Sequence, residues 1–140
     1  MSPSHDFSDA DLAASVPRIL VVDDEEPVRR SVSRALASSG FEVVSVQSGE
    51  EALEAVSAVP RPFDLVISDV VMQGMSGVAL AERIRLREDA TQVLLISGYP
   101  GTHFEDAAFT TGSIELLTKP FTPAQLTARV YECVQRKLPR

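Results

Sequence analysis

The chain is short of cysteine, of base and of long apolar runs, and each shortage removes a class of function. One cysteine in 140 residues, Cys133, excludes an intramolecular disulfide and any multi-cysteine metal site. Its place in a late helical pattern marks it as a buried core residue. Lysine and arginine number 13 against 20 aspartates and glutamates, a formal charge of −7. That surplus argues against nucleic acid or an anionic membrane bound through a basic face. Apolar runs reach about four or five residues, too short to cross a bilayer. The N-terminus has neither a positive start nor an apolar core, so no signal peptide is expected and the protein is expected to be cytoplasmic. No internal repeat and no low-complexity block is present.

What is there is globular. Hydrophobic residues make up 44% and charged residues 24%, and 140 residues suit one domain. Such a chain buries about two thirds of its unfolded surface. Charge is unevenly spread. Residues 1–17 hold three acids (Asp6, Asp9, Asp11), no base and four serines, and are expected to form an acidic, disordered tail. Residues 18–121 hold sixteen acids and nine bases, and residues 122–140 hold four bases and one acid.

From Arg18 two periods alternate. Ile19-Leu20-Val21-Val22 has the unbroken aliphatic run of a strand buried on both faces. Val28, Val32, Ala35 and Leu36 recur at helical spacing, with Pro27 in the first turn and Gly40 just past the end. Residues 42–46 read as a second strand, and Ser48-Gly49-Glu50-Glu51 as a capping box opening a second helix. Leu65-Val66-Ile67 runs into Ser68-Asp69. Ser76 can cap a helix to about Arg87. Val93-Leu94-Leu95-Ile96 runs into Ser97-Gly98. A weak helix fits between His103 and Thr111. Residues 114–117 form a short fifth strand, and Thr122-Pro123-Ala124-Gln125 opens a last helix striped by Leu126, Val130, Cys133 and Val134. Alternating buried strands and amphipathic helices imply a parallel sheet with helices on both faces.

In such a sheet, ligands bind outside the carboxyl ends of the strands. There the sequence places Asp23-Asp24, Asp69, Ser97 and Lys119-Pro120. Each residue alone suits capping or solvation; together they make one chemistry. Neighbouring carboxylates repel unless a cation lies between them. Oxygen donors without histidine or cysteine favour Mg²⁺ over zinc. A carboxylate beside Mg²⁺ can attack phosphorus, while an ammonium and a hydroxyl neutralise the transferred oxygens. This pattern is that of an aspartyl-phosphate site.

These residues, in this order and spacing, resemble the receiver domain of two-component response regulators. The matching stretches are Ile19-Leu20-Val21-Val22-Asp23-Asp24-Glu25, Asp69-Val70-Val71-Met72 with Gly77 eight residues after Asp69, Leu95-Ile96-Ser97-Gly98-Tyr99, and Thr118-Lys119-Pro120-Phe121. The resemblance implies a receiver domain over residues 18–138. It implies a flavodoxin-like, doubly wound α/β fold, (βα)5, with a five-stranded parallel sheet in the order 2-1-3-4-5. It implies that Asp69 accepts a phosphoryl group from a sensor histidine kinase or histidine phosphotransfer protein. Asp24, Asp69 and the Val71 carbonyl would hold Mg²⁺, with Asp23 acting through water. Ser97 would be the switch hydroxyl and Lys119 would pair with the phosphoryl group, with Lys119-Pro120 cis. The Ser97-Gly98-Tyr99-Pro100 wording is similar to receivers of hybrid histidine kinases, and a stand-alone bacterial receiver is expected. The output would be altered binding to an unknown downstream protein, with a homodimer through the face of the fourth helix, fifth strand and fifth helix as a candidate contact. A phosphate sink or phosphorelay intermediate is the alternative.

The chain departs from the family pattern in places. Leu116 stands where an aromatic residue commonly follows the switch hydroxyl, and Gln73 where proline is common after Asp69. Gly98 frees the backbone beside Ser97, so the loop from Gly98 to Thr110 is expected to shift as a body. Val71 and Tyr99 border the mouth and are expected to hinder water and slow phosphate loss. Glu25 and Glu26 read as first-turn helix acids, Met72 and Met75 as loop packing, His103 as solvated and His5 as inert. Arg129, Arg136, Lys137 and Arg140 read as a solvated face, with a docking face as the sharper alternative. Three other classes fit less well. A dehalogenase-type aspartyl-phosphate phosphatase needs a second acid at position 71. A flavodoxin-like nucleotide binder would meet repulsion from Asp23-Asp24-Glu25-Glu26. A receiver that never takes phosphate would lack site residues that are present here. No enzymatic activity is expected beyond the protein's own phosphorylation and dephosphorylation.

Overall fold

A computed structural model describes residues 16–58, 62–87, 91–98 and 114–137. The described elements are five strands and four helices: β1 (Arg18–Val22), α1 (Glu26–Ser38), β2 (Glu42–Val46), α2 (Gly49–Ala58), β3 (Leu65–Asp69), α3 (Gly77–Arg87), β4 (Gln92–Ser97), β5 (Ile114–Thr118) and α4 (Pro123–Lys137). All strands pair in parallel, in the order β2-β1-β3-β4-β5. The weak helix expected between His103 and Thr111 lies outside the described residues, as do Tyr99, His103 and nearly all of the acidic tail.

The side-chain alternation of each strand divides the core in two. Leu20, Val22, Val66, Val93 and Leu95 face α2 and α3, meeting Leu53, Val56, Leu80 and Ile84. Ile19, Val21, Leu65, Ile67, Leu94 and Ile96 face α1 and α4, meeting Val32, Leu36, Leu126 and Val130. Both faces are covered, which is why β1, β3 and β4 are aliphatic without a break. Cys133 is fully buried in the second cluster, as the helical stripe required.

Three helices start where the sequence signals a cap. Glu51 N–H donates to Ser48 Oγ at 3.1 Å, and Ala79 N–H to Ser76 Oγ at 3.1 Å. At Thr122 the box is reciprocal: Gln125 N–H donates to Thr122 Oγ1 at 3.0 Å, and Thr122 N–H to Gln125 Oε1 at 2.8 Å. At Ser48 the glutamate reaches one residue further back, accepting from Gln47 N–H at 3.0 Å. Gly40 closes α1 with φ +99°, a conformation open to glycine.

The amino-terminal rim of the sheet is tied shut. Buried Arg18 stacks 4.4 Å over the Phe63 ring and pairs with Glu42 at 3.0 Å. Its amide donates to Asp64 Oδ2 at 2.8 Å, and Thr91 Oγ1 donates to Phe63 O at 2.9 Å. The carboxyl-terminal rim is where the functional candidates gather.

Candidate functional site

Strand register brings the candidates to one rim. Val22 pairs with Ser68, Asp69 with Ile96 and Ser97 with Thr118. Asp23, Asp69, Ser97 and Lys119 therefore stand at or just past the ends of adjacent strands. Lys119 Nζ donates to Asp69 Oδ2 at 3.0 Å. Lys119-Pro120 is cis. Ser97 is buried at the end of β4, and its carbonyl accepts Lys119 N–H at 2.7 Å.

Each of the three carboxylates also accepts a backbone amide. Asp23 Oδ1 takes Glu25 N–H at 2.9 Å, Asp69 Oδ1 takes Val71 N–H at 3.1 Å, and Asp24 Oδ2 takes Gln73 N–H at 2.9 Å. The first two close local turns. The third reaches from the β3–α3 loop to the β1–α1 loop. Arg29 Nη1 donates to the Asp23 carbonyl at 2.8 Å.

Electrostatics show how crowded the rim is. Burial pushes the Asp23 carboxyl above the usual carboxylate range, and the charges of Asp69 and Asp24 push it further; the Glu25 amide and Lys119 only partly offset this. Burial lowers the Lys119 ammonium, but its hydrogen bond to Asp69 and the charges of Asp69, Asp23 and Glu25 outweigh that and raise it. The folded state thus holds the Asp23 proton more tightly than the unfolded chain does. Asp23 subtracts stability as pH rises through its elevated pKa. Asp23→Asn is expected to raise the metal-free melting temperature at neutral pH, because the amide escapes the penalty on the buried, repelled carboxylate. The gain should vanish at a pH low enough to protonate Asp23 in both states. Thermal melts at the two pH values check this.

The donor set fits a hard cation that keeps much of its water. Every candidate ligand is oxygen. Among the described residues, no three His, Cys, Asp or Glu side chains are gathered tightly enough to hold a metal ion by themselves. Mg²⁺ characteristically takes one or two carboxylates and several waters.

Met72 is buried in the α2–α3 cluster and Met75 packs against it. Leu116 packs against the same cluster, on the inner face of β5. Glu26 lies in the first turn of α1 and pairs with Arg30 at 3.4 Å, while the Glu25 charge acts on Lys119. Arg129 is not simply solvated: it binds Glu115 at 2.9 Å and Glu132 at 3.5 Å. The Gln73 amide was not foreseen, because a backbone group carries no letter in the sequence. No described helix is long and apolar enough to cross a membrane.

Known proteins bear on this geometry directly. Residues 19–131 match the response regulator receiver domain family. The transcriptional activator protein PfeR of Pseudomonas aeruginosa is 36% identical over 120 residues, which are 86% of this chain and 38% of PfeR. The transcriptional regulatory protein PrrA of Mycobacterium tuberculosis is 34% identical over 127 residues, 91% of this chain and 54% of PrrA. The sensor kinase CckA of Brucella abortus is 35% identical over 127 residues, 91% of this chain and 13% of CckA. The chain thus spans about half or less of the curated relatives it matches. Among solved structures, a receiver domain protein from Clostridium thermocellum superposes with a TM-score of 0.80 at 27% identity, covering 87% of this chain and 97% of that one. The response regulator TrrA of Thermotoga maritima, solved with Mg²⁺-BeF, superposes with a TM-score of 0.74 at 30% identity, covering 84% and 99%. Fold, strand order and sequence agree: the chain belongs to the response regulator receiver domain family, the phosphoacceptor module of two-component signal transduction.

Proposed function

We propose that this receiver takes a phosphoryl group onto Asp69 from a phosphohistidine of a sensor kinase or phosphotransfer protein, with Mg²⁺, and changes its protein contacts in response. The observation that carries this reading is the 3.0 Å pair between Lys119 Nζ and Asp69 Oδ2, set beside Asp23 and the buried Ser97.

In this reading a carboxylate oxygen of Asp69 attacks phosphorus. The P–O bond forms as the P–N bond breaks, and the imidazole nitrogen leaves and takes up a proton. Lys119 passes from the Asp69 carboxylate to an oxygen of the new acyl phosphate, and the Ser97 hydroxyl donates to another. Asp24, Asp69 and the Val71 carbonyl would hold Mg²⁺, with Asp23 through water. The ion would neutralise charge on the phosphoryl oxygens; TrrA, which was solved with Mg²⁺-BeF, supports this choice. The chemistry acts on the protein's own carboxylate, so the role is regulatory. The likeness to transcriptional regulators and to a sensor kinase supports a place in a two-component pathway, with the cytoplasm as its compartment. The described part of the candidate dimer face is a groove of about 420 Å³ lined by Leu117, Pro120, Phe121 and Gln125, beside the Arg129–Glu115 pair.

The test is incubation with acetyl phosphate or beryllofluoride, with and without Mg²⁺, following intact mass and oligomeric state. A Mg²⁺-dependent gain of one acid-labile phosphoryl group is expected. No gain under any condition overturns the reading.

Val71 is 65% exposed two residues from Asp69 and presents an aliphatic side chain beside the site. Val71→Asn is expected to speed loss of the phosphoryl group about threefold or more, since it removes an apolar obstacle to water. A decay time course of the phosphorylated protein measures it, and an unchanged rate would refute it.

A further inference from the structure

Two cavities meet on the face that α1 and α4 share. One, of about 570 Å³, is lined by Ala35, Ser38 and Ser39 at the end of α1 and by Ala124, Ala128 and Tyr131 of α4. The other, of about 500 Å³, shares Ala35, Ser38 and Pro123 with it and continues past Arg34 and Arg30 to Pro27. The two form one groove. Its α4 wall is small or apolar, and Pro123, Ala124, Ala128 and Tyr131 are all exposed there. Tyr131 leans on Phe41 at 5.0 Å and donates its hydroxyl to Ser39 O at 3.3 Å, yet stays 44% exposed. Each cavity falls within the roughly 300–1,000 Å³ typical of ligand sites.

Charge in the groove has one sign. Its only charged lining residues are Arg30 and Arg34, both exposed and one turn apart on α1. Arg30 pairs with Glu26 at 3.4 Å, and among the described residues Arg34 pairs with no acid. An apolar floor with a basic wall suits an acidic segment that also carries large apolar side chains.

Such a segment enters beside it. Pro17 O accepts Glu42 N–H at 3.0 Å, which pins the chain three residues from Ser39, at one end of the groove. Residues 1–15, outside the described residues, include Asp6-Phe7-Ser8-Asp9-Ala10-Asp11-Leu12, with three carboxylates, two large apolar side chains and no base. Reach suffices. From Ser38 to Pro27 the helix rises roughly 16 Å, and about five residues of chain can extend as far. Arg30 and Arg34 stand about 6 Å apart, and residues two apart, such as Asp9 and Asp11, span up to about 7 Å. A short tether also holds the segment at roughly millimolar effective concentration, so weak contacts are enough.

We infer that the α1–α4 groove is the docking site of the chain's own segment Asp6–Leu12. The tether sets the order. Leu12 lies nearest Tyr131, Asp11 meets Arg34, Asp9 meets Arg30, and Phe7 reaches Pro27 and Pro123. So seated, the segment is a strap that closes this face of α1 and α4 to any other protein surface. The inference goes beyond the phosphoryl chemistry and does not depend on it.

The test uses the full chain with a nitroxide at position 10. The native Cys133 is buried, so Ala10→Cys takes the label selectively. The amides of Ala35, Ser38, Thr127 and Tyr131 should broaden, and those of α2 and α3 should not. Arg30→Glu together with Arg34→Glu should cut that broadening about threefold or more, the worth of two exposed ion pairs. Adding Asp9→Arg and Asp11→Arg should restore it. Both arginines are exposed, so their reversal leaves the core intact. Labelled chain mixed with unlabelled ¹⁵N chain should give no broadening. Broadening in that mixture would assign the groove to a second copy and overturn the inference. So would no broadening at the four amides in the parent, broadening spread equally over all helices, or broadening indifferent to the arginines.

Discussion

Asp69→Asn, incubated with Mg²⁺ and acetyl phosphate, is expected to gain no acid-labile phosphoryl mass, while the unaltered chain gains one group. The amide keeps the shape of the carboxylate and can still accept Val71 N–H, which holds Asp69 Oδ1 at 3.1 Å. It lacks the anionic oxygen that in the proposed reaction would attack phosphorus and that pairs with Lys119 at 3.0 Å. The effect is therefore total loss of a reaction, with the fold retained, and far-ultraviolet circular dichroism distinguishes the two. An Asp69→Asn protein that still acquired the mass would move the acceptor elsewhere and refute the assignment.

Gly77→Ala should be nearly as damaging, through geometry. A Cβ at position 77 would lie 2.2 Å from the Asp69 carbonyl oxygen and 3.0 Å from Val70 Cα. Both neighbours are main chain, so neither can turn aside as a flexible side chain would. Gly77 N–H is also bonded to Val70 O at 2.9 Å, which fixes the approach. Relief requires β3 to withdraw from α3, and Asp69 goes with it. We expect a loss of about 3 kcal/mol, at the upper end for overfilling a closed site. Phosphoryl uptake should slow by about a hundredfold, the cost of a reacting group displaced by an ångström. Denaturant melts and an acetyl phosphate time course measure the two. Gly40→Ala is the contrast. Nothing lies within 4 Å of a Cβ there, but φ is +99°. It should cost about 1–2 kcal/mol through backbone strain alone and leave phosphorylation unchanged.

Much of this was readable from residues alone, for physical reasons. Aliphatic runs such as Val93–Ile96 announce strands covered on both faces, and the structure places them at the centre of the sheet. Ser48, Ser76 and Thr122 announce helix starts because a short hydroxyl side chain meets an unpaired amide there, and all three do so. The strand order is another matter. Periodicity says that five strands are parallel but not which are neighbours, so that expectation came from the family resemblance. The convergence of Asp23, Asp69 and Lys119 follows from lying at the carboxyl ends of parallel strands. Their pairing does not: that Lys119 holds Asp69, and that Glu25 joins the field around Lys119, depends on side-chain reach. Outside the helix caps, contacts with a main-chain partner were least visible of all. Gln73 to Asp24 and Arg29 to the Asp23 carbonyl have no signature in residue type or spacing.

The Arg18 rim described with the fold has a wider meaning. Arg18, Glu42, Phe63, Asp64 and Thr91 fasten the sheet at the end farthest from Asp69. The acidic rim opposes folding by its own repulsion, so cohesion and reactivity reside at opposite poles of the same strands. Substitutions of exposed side chains around the mouth, such as Val71, can accumulate without loosening the body that presents them. A domain so arranged is free to diverge in which partners it recognises while its scaffold stays put, and the polarity of its parallel strands makes that separation possible.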